Sequence, residues 1–91
     1  MDRSASVKVR VRFVSLIQRH TGVRRVDMEL PAEPEKALKM VINRYRIPWA
    51  GDLERSCRIF INRQPVERLI KTGALLQEGD VISFIPILAG G

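Results

Sequence analysis

Val7-Lys8-Val9-Arg10-Val11-Arg12-Phe13 alternates apolar and basic residues at every step. A period of two marks a strand with one buried face. Val7, Val9, Val11 and Phe13 are expected to face a core, and Lys8, Arg10 and Arg12 to face water. The pattern returns in Arg25-Val26-Asp27-Met28-Glu29-Leu30, with Val26, Met28 and Leu30 inward, and Pro31 closes it. Between the two, Val14 to His20 breaks the alternation. Leu16 and Ile17 suit one or two helical turns there, and Thr21-Gly22 reads as a stop and a turn. So short a link predicts that the two strands pair as a hairpin or meander.

Beyond Pro31 the period changes. Pro34 suits a first helical turn, where its missing N–H is no loss. Glu33 and Glu35 favour the same end through the helix dipole. Leu38, Val41, Ile42 and Tyr45 make one apolar stripe at helical spacing, Arg44 and Arg46 complement the C-terminal end, and Pro48 bars continuation past Ile47. Trp49 to Glu54 is expected as a connection, with Trp49 a lid on the core edge. Arg58-Ile59-Phe60-Ile61-Asn62 reads as a third strand and Asn62 to Pro65 as a turn. Val66 is expected to restart an extended piece, while Leu69, Ile70 and Thr72-Gly73 leave helix and strand open. Leu75 to Asp80 reads as an anchored turn, and Val81 to Pro86 as the last strand, ended by a proline that cannot donate to a ladder.

The order strand, strand, helix, strand, strand predicts a two-layer α+β domain. With the first strand pairing both its hairpin partner and the last strand, the arrangement is a β-grasp. Its mixed sheet of four or five strands packs on one main helix. Residues 1–91 are expected to form one such domain with a flexible tail over 87–91.

Composition narrows the function. At 91 residues and 45% hydrophobic, the chain is the size of one ordinary globular domain. One cysteine forms no internal disulfide, which fits a reducing compartment, and no signal peptide or membrane-length apolar run is visible. A cytoplasmic protein is expected. The net charge of +6 is uneven: residues 1–46 hold eleven Lys/Arg and five Asp/Glu, residues 47–91 five of each. A basic face attracts nucleic acid or an acidic partner, yet no aromatic residues interleave with these charges as in single-strand binders. Enzyme constellations are missing. The single His20 and Cys57 have no third group nearby in sequence to orient them. No Cys/His cluster suggests a metal, no glycine-rich loop suggests phosphate binding, and the carboxylates are scattered. No bound cofactor is expected.

What remains is Ile87-Leu88-Ala89-Gly90-Gly91, reached directly from the last strand. Glycine costs the most entropy to order and offers a core nothing, but a Gly-Gly end threads a narrow slot. A terminal carboxylate on Gly91 becomes an acyl donor once adenylated by ATP on a separate enzyme. Gly90 and Ala89 would pass a tight channel, and Leu88 and Ile87 would fill apolar pockets that set its depth.

Leu76-Gln77-Glu78-Gly79-Asp80, the strand Val81 to Ile85, Pro86 and the closing Gly90-Gly91 resemble the end of the MoaD/ThiS sulfur-carrier family. Val11-Arg12-Phe13 through Thr21-Gly22 is similar to its MoaD branch, and Ile61-Asn62 before a turn also fits. The resemblance implies a ubiquitin-like β-grasp. It also implies adenylation of Gly91 by an ATP-using activating enzyme and conversion to a thiocarboxylate. The sulfur would go to molybdopterin, thiamine, cysteine or another acceptor, and the chain would be a carrier or the non-catalytic small subunit of a molybdopterin synthase. Some relatives are instead joined to lysines as modifiers. This chain differs from the MoaD branch in its basic charge and in Pro-Ile-Leu-Ala-Gly-Gly, where two successive prolines are common. The charge implies an acidic partner surface or a different pathway.

Strand alternation also predicts a docking face. With Ile82 and Phe84 inward, Val81, Ser83 and Ile85 face out; with Ile59 and Ile61 inward, Phe60 faces out. Phe60 and Ile85, with Val14 beside them, are expected to form an exposed apolar patch. Phe60, Ile85, Pro86, Ile87 and Leu88 are the candidate partner-binding residues. A lysine-directed modifier and a small nucleic-acid module using Lys8, Arg10 and Arg12 stand as alternatives.

Overall fold

Both alternating stretches are strands, and they pair antiparallel. A computed structural model describes residues 5–87; the expected acyl site Gly91, the tail residues Gly90 and Ala89 and the expected partner-binding Leu88 lie outside these. β1 (Ser6–Phe13) and β2 (Arg25–Pro31) bring Val9 opposite Met28 and Val11 opposite Val26. The short α1 (Leu16–Thr21) joins them, with Ile17 buried and Leu16 exposed. β5 (Val81–Pro86) lies parallel to β1, Val11 opposite Ile82 and Phe13 opposite Phe84. β3 (Cys57–Ile61) lies antiparallel to β5, Ile59 opposite Phe84 and Ile61 opposite Ile82. A two-residue β4 (Gln64–Pro65) completes a five-stranded sheet ordered β2-β1-β5-β3-β4. The last strand in sequence is therefore the middle strand in space.

This register puts Val9, Val11, Phe13, Ile59, Ile61, Ile82 and Phe84 on one face, and all are buried. Each such side chain contributes about 1.5–3 kcal/mol relative to exposure. Phe84 is the hub: its ring lies 5.4 Å from Phe13 and 5.7 Å, edge to face, from Trp49. Trp49 is a lid, as its position in the sequence suggests. α2 (Pro34–Arg44) covers the same face with Ala37 and Val41 fully buried and Leu38, Ile42 and Tyr45 packed around them. Tyr45 meets the edge of Phe13 at 5.2 Å.

α2 stops before Pro48 is reached. Arg46 sits at φ +51°, its N–H donates to the Asn43 carbonyl, and the Ile47 N–H donates to the Ile42 carbonyl at 2.9 Å. These paired bonds form a Schellman cap, normally closed by glycine. Ile47 is thereby turned into the core.

Two expectations fail. The connection after Trp49 contains a helix, α3 (Gly51–Ser56), with Asp52 and Glu54 in its first turn. One apolar residue in six, Leu53, leaves no period to read; the acidic residues at its start are the remaining signal. The extended piece expected at Val66 is instead α4 (Val66–Thr72). Val66, Leu69 and Ile70 have helical spacing, and Gly73 at φ +75° closes the helix in the left-handed conformation glycine tolerates best. Leu76 anchors the following turn: it is buried, and its N–H donates to the Ala32 carbonyl at 2.8 Å. No helix of the described residues is long and apolar enough to cross a membrane.

Candidate functional site

The site is built on β5, which carries the chain to its glycine end. Its start is clamped. Gly79 at φ +88° turns the chain and its N–H donates to the Lys8 carbonyl at 2.9 Å. The Asp80 carboxylate accepts the Gln77 N–H at 2.8 Å and the Asn62 side-chain amide at 3.1 Å. Asn62 in turn accepts the Val81 N–H at 3.1 Å through its side-chain oxygen, while its own N–H donates to the Val81 carbonyl at 2.7 Å. Asn62 holds φ +58°, a conformation asparagine adopts more readily than most residues. The Gly-Asp turn and the Ile61-Asn62 corner are thus one clasp that sets where β5 enters the sheet.

The far end of β5 is tied as well. Pro86 lies opposite Cys57, and the Ile87 N–H donates to the Ser56 carbonyl at 2.6 Å. Ile87, counted with the tail in the sequence, is still held by backbone here and is one-third exposed at 36%.

Register defines the face away from the helices. One row runs Arg25, Arg12, Ser83, Phe60, Pro65 across β2, β1, β5, β3 and β4. Beside it Ile85 lies opposite Arg58, and Val14, next after Phe13 on the chain, donates its N–H to the Phe84 carbonyl at 3.3 Å. Ile85 is 37% exposed, and Phe60, Val14 and Val81 are half-buried. Phe60 and Ile85 therefore share the outer face on neighbouring strands, with Val14 near. Ser83 departs from expectation: it points to this face but is only 5% exposed, between its cross-strand neighbours Arg12 and Phe60. Long side chains either side of a small one cover it.

The arginines were only partly legible. Alternation placed Arg10 and Arg12 outward, but Arg25, opposite Arg12, and Arg58, opposite Ile85, join them only through strand pairing, and Arg24 lies in the bend just before β2. Arg10 meets Asp27 at 3.1 Å across β1 and β2.

Among the described residues, classical catalytic groups do not converge. His20 bonds through Nε2 to the Arg46 carbonyl at 2.9 Å. Cys57 is buried, and desolvation by that burial pushes its thiol pKa up. A buried, neutral thiol is a poor nucleophile. No hydrogen bond joins His20 to Cys57, and no group of three His, Cys, Asp or Glu capable of holding a metal occurs, among the described residues.

A family model, the ThiS family, matches residues 12–91, from Arg12, next to last in β1, to Gly91. The chain belongs to the ThiS family. Solved structures share its fold. The small archaeal modifier protein 1 of Methanosarcina acetivorans superposes with a TM-score of 0.73 at 19% identity, covering 94% of this chain and 98% of that one. A Pyrococcus furiosus protein assigned as molybdopterin converting factor subunit 1 gives 0.70 at 22% identity, with 91% and 100% covered. The small archaeal modifier protein 1 of Haloferax volcanii gives 0.70 at 16%, with 92% and 99% covered. No curated protein matches the chain in sequence. The fold of this ThiS-family member is the ubiquitin-like β-grasp, with β5 at the centre of the sheet as the element that leads to the glycines.

Proposed function

We propose that this protein is a sulfur carrier charged at Gly91. The carboxylate attacks the α-phosphorus of ATP on an activating enzyme, pyrophosphate leaves, and an acyl-adenylate forms. Sulfide sulfur then adds to the acyl carbon, AMP leaves with the bonding pair, and the product is a Gly91 thiocarboxylate. ATP is a substrate of the activating enzyme, and this chain supplies the acyl group and its presentation. Gly90 and Ala89 act as the slot-fitting spacer. Phe60, Ile85, Pro86, Ile87 and Leu88 make the docking surface. The protein acts as a non-catalytic carrier, and transfer of its sulfur to molybdopterin as a synthase small subunit is the acceptor assignment proposed.

One observation carries this reading: the family match runs through Gly91, which the chain reaches from the middle strand of the sheet. Two buried residues, Ile82 and Phe84, and the Asn62–Asp80 clasp fix β5, so the segment beyond Pro86 leaves from a defined point. Fixing the base of a probe lowers the entropy lost when its end is bound.

The test is intact-mass analysis after incubation with ATP, sulfide and the ThiS-type activating enzyme of the same genome. The expected product carries sulfur in place of one Gly91 oxygen, and deleting Gly90-Gly91 abolishes it. If the wild-type chain instead yields Gly91 joined to lysines without thiocarboxylate, the lysine-modifier reading replaces this one. An unchanged mass with an active enzyme refutes both.

A further inference from the structure

Arg12 and Arg25 are direct cross-strand partners in β1 and β2. Like charges placed so are destabilising. With Arg24, Gln18, Phe13 and Val14 they line an open hollow of about 590 Å³ where the end of β1 meets the start of β2. Among the described residues none of the three arginines has a carboxylate within ion-pair distance. Asp27, the carboxylate one row along the same face, is taken by Arg10. The backbone beneath is fixed, since the Phe13 N–H donates to the Arg24 carbonyl at 2.8 Å. β1, the start of β2 and the bend just before it bring three arginines with no carboxylate partner to the lining of one hollow, an arrangement that an anion would relieve.

We propose that Arg12, Arg24 and Arg25 form a carboxylate-binding corner for the acidic side chains of the protein that docks over Ile85 and Phe60. This rests on the carrier reading only in taking that a protein docks there. Guanidinium forks match carboxylates in bidentate fashion, which gives the corner geometric as well as electrostatic selectivity. The neighbours decide between protein and nucleic acid. The row continues from Arg12 through Ser83 to Phe60, with aliphatic Ile85 and Val14 alongside. An apolar centre edged by arginine is the make-up of protein interfaces. Strand-binding surfaces instead set several open aromatic platforms among their charges, and here Phe60 alone is present and half-buried. The occupant is a protein surface with clustered Asp or Glu beside an aliphatic patch.

The experiment follows the arginine Nε–Hε signals and backbone amides of the intact, isotope-labelled protein during titration. The probes are a capped peptide of four glutamates flanking Leu-Val, its glutamine counterpart, and an oligothymidylate. The glutamate peptide is expected to shift the Arg12, Arg24, Arg25 and Ile85 signals saturably. The Arg12→Gln/Arg25→Gln variant should weaken its binding about tenfold, and the glutamine peptide should leave the signals in place. The same variant should keep or raise Tm, because it removes a like-charge contact. The proposal is overturned if the double variant binds the peptide as the parent does, or if its Tm falls along with its affinity. It is overturned equally if oligothymidylate saturates these signals at lower concentration than the peptide. Removing Gly90-Gly91 should not alter the titration. Failure here therefore removes the arginine corner alone, and failure to form thiocarboxylate removes the carrier reading alone.

Discussion

Replacing Asp80 by alanine should cut the clasp at the entry of β5. The carboxylate accepts the Gln77 N–H at 2.8 Å and the Asn62 amide at 3.1 Å. A hydrogen bond to a charged group contributes about 1.5–3 kcal/mol when protected, and the solvent-exposed setting lowers each bond here to about 1 kcal/mol. Loss of both gives about 2 kcal/mol, or a Tm lower by roughly 10 °C for a domain of this size. Asp80→Asn keeps one acceptor oxygen and should lose about half as much. Because Asp80 and Asn62 share a bond, Asn62→Ala and Asp80→Ala should be non-additive by about 0.5–1 kcal/mol. Urea unfolding followed by Trp49 fluorescence reads these differences, since Trp49 packs on Phe84 of the same strand. If Asp80→Ala unfolds within about 0.5 kcal/mol of the parent, the clasp is not what seats β5. The same seating keeps Ile85 outward: a slip of one residue would exchange it with Phe84.

Other outcomes follow from single sites. Phe84→Ala should cost about 3–5 kcal/mol by opening a cavity beneath Trp49, read in the same urea titration. Arg46→Gly should stabilise by about 0.5–1 kcal/mol, because glycine fits the left-handed helix cap that arginine now strains to occupy; a lower Tm would contradict this. Cys57, neutral and buried, should resist iodoacetamide in the folded protein and react only on unfolding. Since its folded pKa is raised, its linked stability is intact below the unfolded thiol value of about 8.5 and declines as pH rises from there to the folded value. Cys57→Ala should abolish that component of the alkaline decline. Ile85→Ser, at a one-third exposed site, should change stability by less than about 1 kcal/mol while reducing thiocarboxylate formation at limiting carrier; unchanged formation would remove Ile85 from the docking surface.

Much of the fold was legible because its strands are half-buried. Alternation in Val7 to Phe13 and Val26 to Leu30 states the inner face outright, and the Leu38, Val41, Ile42, Tyr45 stripe states the helix. α3 was not legible, because Leu53 alone gives no period. α4 was hidden by Pro65, which opens equally well an extended piece or a first turn. Asp80 was recognisable as part of a Gly-Asp turn, but its bond to Asn62 spans 18 residues and has no local signal.

Sequence alone determined which residues turn inward, the strand order along the chain and the Gly90-Gly91 end, since each depends on local period or residue type. Tertiary structure decided that the last strand is the central one, that Ser83 is covered, and that Arg12, Arg24 and Arg25 meet at one hollow. These depend on pairing register between distant segments. Register is set by the summed burial of both strands and by the clasp at Asn62 and Asp80, and no single stretch carries that sum.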